Sequence, residues 1–385
     1  MSDRIGAQFS MNSGLLQSPR GADRPRLEVL ILARDEADVL GRTLAAVNGQ
    51  LGVSDRVHVV ADHCDDATAD IARSLGAVVH VRRDGRPGKG RALDWWLRHN
   101  RGGSDPRTMI VVLDADSLIQ EGFIKAIRVF ARAGGTAGQA ILDQLESVDE
   151  PTARMAAFSE FIEQRVLDRA RDWLGWPVRL RGTGMVVRRA QLSALSSNLM
   201  TSVEDAELSV LLAAHGTTPR LIPGARLLDG KSATETGAVR QRARWIKGQL
   251  DLVVKHPAEI LMLLAGGPKG WSLLGSILLR PKSVALPVKL GTALASALFL
   301  RGSALGWLVM ILVGCSVVVD LVAVGFAVGI SRNRMRSLAT LMMSPRFLLV
   351  WMKSGWLALV SREAWLRARP ASRNPSLGGA RTLRT

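Results

Sequence analysis

Tyrosine is missing from this 385-residue chain, and cysteine occurs only twice. Cys64 lies in a polar stretch and Cys315 in an apolar one, far apart in sequence, so neither a disulfide framework nor a cysteine-based zinc site is available. The lack of tyrosine, together with arginine used in preference to lysine, is a compositional bias that points to no function. Residues 1–25 have no apolar core and are rich in Ser, Gly and Arg, which excludes a cleaved secretory signal and reads as a disordered tail. Acids are scarce: 34 Asp and Glu stand against 51 Lys and Arg, a formal net charge of +17.

The location of that excess decides its meaning. Residues 332–385 hold 11 Arg and Lys and the single acid Glu363, directly beside the most apolar part of the chain. Basic residues flanking membrane helices stay on the cytoplasmic side and attract acidic headgroups. Membrane lipids therefore account for the charge, and no nucleic acid partner is needed.

The length exceeds one average domain, so a large α/β unit with an appendage is expected. Short apolar, β-branched runs at Leu27 to Leu32, Val57 to Ala61, Val78 to Val81 and Met109 to Leu113 alternate with helical patterns at Ala37 to Gly49, Ala67 to Leu75, Gly90 to His99 and Glu121 to Ala133. This alternation predicts a parallel, Rossmann-like sheet, whose ligands sit at the carboxyl ends of the strands. Acids stand at three of those ends: Asp35 and Glu36, Asp62, and Asp114 with Asp116. Further helices are expected over Thr152 to Leu174, Ala206 to His215 and Val239 to Lys255.

Asp114-Ala115-Asp116 follows an apolar strand, and strand alternation would put both carboxylates on one side. Oxygen donors of this kind suit Mg²⁺ or Mn²⁺ carrying phosphate oxygens. The same residues also fit an aspartyl-nucleophile phosphohydrolase or a capped loop. Glu204-Asp205 opens a helix, either as favourable first-turn acids or as a general base. Gln241, Arg244 and Trp245 fall on nearby helical faces, where arginine suits phosphate and an indole suits a sugar ring, or where an interface helix places an anchor. Gly88-Lys89-Gly90 opens a helix whose amides and lysine would meet phosphate, although it lacks the pattern of a P-loop. A non-catalytic membrane scaffold with these residues as helix caps is the remaining alternative.

Taken in order, Asp62, Lys89, Asp114-Ala115-Asp116, Gly182-Thr183-Gly184, Glu204-Asp205 and Gln241-Arg242-Ala243-Arg244-Trp245 resemble the family 2 inverting glycosyltransferases. The resemblance covers Leu27 to Leu252, and it is to the membrane-bound branch of cellulose, hyaluronan and exopolysaccharide synthases. It implies a GT-A fold, a nucleotide-sugar donor of the UDP type, and a lipid-linked or growing glycan acceptor. Position by position, it implies that Glu36 and Asp62 face the nucleoside and Asp114 faces the diphosphate or sugar. Asp116 would bind the metal and Asp205 would be the base. Glu204, Gln241, Arg244 and Trp245 would hold the diphosphate and the acceptor, with Lys89 and Asp66 as further donor contacts. The chain departs from the family at Arg34-Asp35-Glu36, where an Asn-Glu pair is usual, and at Ala61-Asp62, where paired acids are usual.

The expected organisation is a tail (1–25), a GT-A domain (26–256), an interfacial helical segment (257–283), a transmembrane hairpin (284–331) and a basic amphipathic interfacial helix with a tail (332–385). Ala304 to Ile330 is long enough to cross a bilayer of about 30 Å, and Lys289 would snorkel from the first arm of the hairpin. A multi-pass protein of the cytoplasmic membrane follows, with its catalytic domain in the cytoplasm. With no helices ahead of that domain, export of a polymer would require partner proteins.

Overall fold

The computed structural model describes residues 25–100, 105–144, 151–229, 235–279 and 282–360. The expected N-terminal tail up to residue 24 and the basic segment beyond 360 lie outside the described residues.

Strands β1 (Leu27–Ala33), β2 (Arg56–Asp62), β3 (Val78–Arg82) and β4 (Met109–Asp114) are parallel, with α1 (Ala37–Asn48), α2 (Thr68–Ser74) and α3 (Lys89–His99) between them. Side chains alternate across the sheet, so each face has its own core. Leu27, Val29 and Ile31 of β1 pack against Leu40 and Leu44 of α1, whereas Leu30 packs with Leu93 and Trp96 of α3. A sheet covered on both faces explains why these strands read as continuous apolar runs.

The second half adds β5 (Leu118–Ile119), α4 (Phe123–Arg132), β6 (Ala137–Gln144), α5 (Pro151–Ile162), a π-helical stretch (Glu163–Asp168), α6 (Arg169–Trp173), β7 (Met185–Arg188), α7 (Arg189–Leu195), α8 (Glu204–Ala214) and β8 (Arg220–Asp229). The eight strands form one sheet in the order β3-β2-β1-β4-β7-β6-β8-β5. β7 runs antiparallel to both β4 and β6, and β5 antiparallel to β8, so the expected parallel sheet is mixed in this half. Neither β6 nor β8 was foreseen from the sequence. Pro223-Gly224 interrupts β8 where its register with β6 shifts, which hides the strand pattern. The helix expected over Thr152 to Leu174 is present but carries the π-helical stretch in its middle.

Helix α9 (Glu235–Lys255) leads to α10 (Pro257–Ala265) and α11 (Pro268–Leu278), and both of these pack on α8 through Ile260, Leu263, Leu273 and Ile277. Then follow α12 (Lys282–Phe299), α13 (Ala304–Ile330), α14 (Arg334–Met342) and α15 (Ser344–Val360). Among the described residues one helix, α13, is long and apolar enough to cross a membrane; the apolar part of α12, Lys289–Phe299, is shorter. Lys289, expected to snorkel, meets Asp320 of α13 with its ammonium at 2.5 Å, both side chains being largely buried. The single helix expected over Leu338 to Val360 is two helices, because Pro345 lacks an amide proton and is tolerated only in a first turn, here that of α15. Ala323 and Ala327 of α13 pack on Phe158 and Ile162 of α5, joining the apolar helix directly to the α/β body.

Candidate active site

Register brings the acidic strand ends together. Ala33 of β1 pairs with Ala61 of β2 and Leu32 pairs with Asp114 of β4, so Glu36, Asp62 and Asp114 emerge at one edge of the sheet. A cavity of about 750 Å³ opens there. Every residue singled out as a site candidate except Asp66 lines it: Glu36, Asp62, Lys89, Asp114, Asp116, Glu204, Asp205, Gln241, Arg244 and Trp245.

The strand ends at Asp114 and Asp116 lies in the following turn, so a turn, rather than strand alternation, places the second carboxylate. Three contacts fix this turn. The Asp114 amide donates to Thr183 Oγ1 at 3.1 Å, the Ser117 and Thr183 hydroxyls bond at 2.7 Å, and Thr43 Oγ1 donates to the Ala115 carbonyl at 2.7 Å. Thr183 sits between two glycines at positive φ. A Cβ on Gly184 would lie 2.7 Å from Leu227 Cδ2 and 2.9 Å from Ala140 Cβ, so only glycine fits there. Gln139 of β6, fully buried, donates to the Thr183 carbonyl at 2.9 Å and accepts from the Arg181 amide at 2.8 Å. Sequence reasoning missed Gln139, since nothing local marks it.

Lys89 lies at the centre of the acidic groups. Its ammonium contacts Asp114, donates to the Gly182 carbonyl at 2.6 Å and lies 3.7 Å from Glu204. Burial alone would push this ammonium down, but Asp114, Glu204 and Asp205 outweigh it and hold the charge well above the usual lysine range. Burial, followed by the Asp205 charge, pushes Glu204 up to about 7 against the opposing pull of Lys89 and Arg244. Arg179 stands 3.6 Å from Asp205 on its other side. The free amides expected at Gly88-Lys89-Gly90 are not all free: Gly88 donates to Asp62 at 3.0 Å. Asp62 also accepts from His63 at 2.9 Å and from Arg82, so its carboxylate braces the loop ahead of α3.

Helix α9 carries Gln241, Arg244 and Trp245 into the wall of the same cavity. It lies close to the loop before α8, where a Cβ on Gly248 would meet Ser202 Oγ and Val203 Cγ1 at 2.7 Å. Arg242, between the motif positions, is buried against α15 with its guanidinium 4.9 Å from the Phe347 ring and 5.7 Å from Trp351.

A further carboxylate belongs here. β5 pairs with the end of β8, Leu118 opposite Leu228, and this pairing sets Asp229 in the cavity wall. Asp116 is exposed to solvent in the cavity, with much of the surrounding volume filled by protein. Burial and the charges of Asp114 and Asp229 push it up to about 7. Asp114, Asp116 and Asp229 together form an all-oxygen donor set that fits Mg²⁺ or Mn²⁺. A second grouping, Asp35, Cys64 and Asp66, has its ligand atoms within 4.8 Å of one another. These atoms hold the loops instead: Asp35 accepts from the Asp65 amide, and Asp66 accepts from the Ala37 amide and from Thr68.

The sequence model of the family described as glycosyltransferase like family 2 matches residues 25–248. The "Probable glycosyltransferase YdaM" of Bacillus subtilis (strain 168) is 23% identical over 252 residues, covering 62% of this chain. The match spans 59% of that curated relative's length. The mannosyltransferase PcManGT from Pyrobaculum calidifontis, solved with GDP-Man and Mn²⁺, superposes with a TM-score of 0.53 at 16% identity, covering 88% of each chain. That likeness shows a shared GT-A-like fold. Staphylococcus aureus TarS, solved with UDP-GlcNAc, matches with a TM-score of 0.45 at 12% identity, over 86% of this chain and 91% of that one.

Proposed function

Because the chain belongs to glycosyltransferase-like family 2, we propose that it is a membrane-associated, inverting hexosyltransferase. It moves a sugar from a nucleotide-sugar donor, UDP-linked, to a lipid-linked or growing glycan acceptor in exopolysaccharide or cell-envelope synthesis. The observation that carries this reading is that Lys89 ties Asp114 of the DxD turn to Glu204 beside Asp205, in one cavity with Arg244 and Trp245.

In this mechanism Glu36 and Asp62 face the nucleoside, and Asp114 and Lys89 face the diphosphate and sugar. Asp116, with Asp229 as a further carboxylate, would hold the divalent cation. When bound, that cation supplies positive charge against the departing diphosphate. Asp205 takes the proton of the acceptor hydroxyl as the new C–O bond forms and the bond from the anomeric carbon to the diphosphate breaks. Arg244 and Lys89 stabilise the leaving nucleoside diphosphate, while Trp245 offers a flat face to the acceptor sugar. Glu204 and Gln241 orient the two substrates.

Membrane attachment through α13 agrees with its apolar length and with the basic residues that follow it. The phosphohydrolase and scaffold alternatives have no support in the family assignment. The test is a donor screen on purified membranes with UDP- and GDP-hexoses. We expect release of the nucleoside diphosphate together with a glycoside product, whose size separates single addition from polymerisation. Release of inorganic phosphate from sugar phosphates, with no glycoside, would overturn the reading.

A further inference from the structure

Residues 179–184 run between the groups assigned to the reaction. Arg179 stands 3.6 Å from Asp205, the Gly182 carbonyl accepts from Lys89 at 2.6 Å, and Thr183 Oγ1 accepts from the Asp114 amide at 3.1 Å. Arg181, in the middle of this segment, is committed elsewhere. Its side chain is 4% exposed and donates to Glu160, to Asp168 and, at 2.8 Å, to the Arg179 carbonyl. Asp168 is completely buried and also accepts from Arg171 at 2.7 Å.

Glu160 belongs to α5, and Asp168 closes the π-helical stretch that follows it. Eight residues apart, the two side chains would point about 80° apart on a regular α-helix. The wider π turns bring both carboxylates to one guanidinium. The same stretch also packs on α13: Val166 and Leu167 join the cluster of Phe158, Ile162, Ala323 and Ala327. Elsewhere α13 is open, with Leu321, Val322 and Phe326 exposed by 57% or more.

Buried ion pairs add little stability over an apolar filling of the same volume, so fixing one arrangement is the use that fits them here. We infer that Arg181 is a positioning residue for the transfer. Clamped by Glu160 and Asp168, it fixes the segment that presents Gly182 to Lys89 and Thr183 to the DxD turn, and the π-helical stretch ties that geometry to α13. This rests on the glycosyltransferase reading above and extends it to how the site is held. A displacement of α13 then shifts Asp168 at the guanidinium and loosens residues 179–184, while Glu36 and Asp62 stay in place on other elements.

The test uses the full chain in phosphatidylethanolamine/phosphatidylglycerol nanodiscs. Nucleoside diphosphate release from the hexose donor selected by the membrane screen is read per binding site, counted by calorimetry with Mn²⁺ and that diphosphate. Arg181→Lys keeps the charge but not the fork. Its kcat should fall about 10²-fold, well beyond any change in donor KM, with faster amide exchange over residues 179–184. Ala327→Trp, which forces α13 away from the π-helical stretch, should bring the same two changes, and smaller ones when Arg181→Lys is already present. Glu160→Gln and Ala323→Leu take their places if either variant does not fold. Unchanged kcat and exchange in Arg181→Lys would overturn the positioning role, and the same result in Ala327→Trp would overturn the link to α13. If the unsubstituted protein releases no nucleoside diphosphate from any donor, the glycosyltransferase reading falls instead, and the exchange data still decide whether Arg181 and α13 hold this segment.

Discussion

Glu207 and His256 meet at 2.8 Å, and the Glu207 side chain is completely buried. The same carboxylate accepts from the Met200 and Thr201 amides and from the Thr201 hydroxyl, each at 2.9 Å. The loop that delivers Glu204 and Asp205 to the cavity is therefore suspended from a group one helical turn further on, which is itself steadied by the start of α10. Replacing Glu207 by Ala leaves two part-buried amides without an acceptor, at a cost of up to about 1–3 kcal/mol each. We expect a clear fall in thermal midpoint and a fall in kcat exceeding any loss of nucleotide affinity, since the donor end lies on other elements. An unchanged midpoint by scanning calorimetry would show that the loop does not hang from this residue.

Metal affinity should depend on pH through Asp116. Burial with the neighbouring Asp114 and Asp229 charges pushes its carboxyl up to about 7, so near neutral pH a proton competes with the cation. Below that value the apparent Mn²⁺ affinity should fall about tenfold per pH unit, and above it the affinity should level off. For the metal-free fold the sign is the reverse. A folded-state value above the ordinary 3.8 means that stability present at low pH is lost as pH rises toward about 7. Added Mn²⁺ should restore it, and titrations by calorimetry at several pH values read both effects.

Asp229→Asn removes one anionic oxygen set from the cavity wall while keeping the shape. A weakening of Mn²⁺ binding of about 10- to 100-fold is expected from the loss of a ligand or an outer-shell partner, measured by electron paramagnetic resonance of the free ion. The Asp116 carboxyl should at the same time titrate lower, because one of the charges that raise it has gone. Equal Mn²⁺ affinity in the two proteins would remove Asp229 from the site.

Lys89→Met takes away the cation shared by Asp114, Glu204 and the Gly182 carbonyl. Loss of such a preorganised charge costs about 10²- to 10³-fold in kcat. Glu204 should then hold its proton to higher pH, since Lys89 is one of the groups that pull it down. The alkaline shift of the acidic limb of the pH–rate profile is the distinguishing readout, as a simple packing defect would lower the rate without moving the limb.

Arg242→Leu tests the link between α9 and α15. Its guanidinium lies over the Phe347 and Trp351 rings, a contact worth about 0.5–2 kcal/mol. Faster amide exchange across α15, with Arg244 and Trp245 intact, is the expected outcome. Unchanged exchange there would mean that the two helices are held by the rest of their interface.

Local pattern alone specified much of this molecule. The alternation of β1 to β4 with α1 to α3 was legible because short-range periodicity and the apolar content of doubly covered strands are written residue by residue. The order of Asp114 and Asp116, Glu204 and Asp205, and Gln241 to Trp245 likewise picked out residues that line one cavity. What the sequence left open depends on partners far along the chain. β6 and β8 exist because they pair with each other and with β7 and β5, and Pro223-Gly224 conceals that pairing in a bulge. Gln139 and Asp229 matter only through such pairings, so no window around either residue marks it. The expected strand alternation at the DxD gave way to a turn clamped by Thr183 and Thr43. The helix expected over Leu338 to Val360 broke ahead of Pro345, and only tertiary packing turned its second half into a wall of the cavity. Periodicity reports which side of a helix is apolar; which neighbour covers that side is settled when distant segments meet.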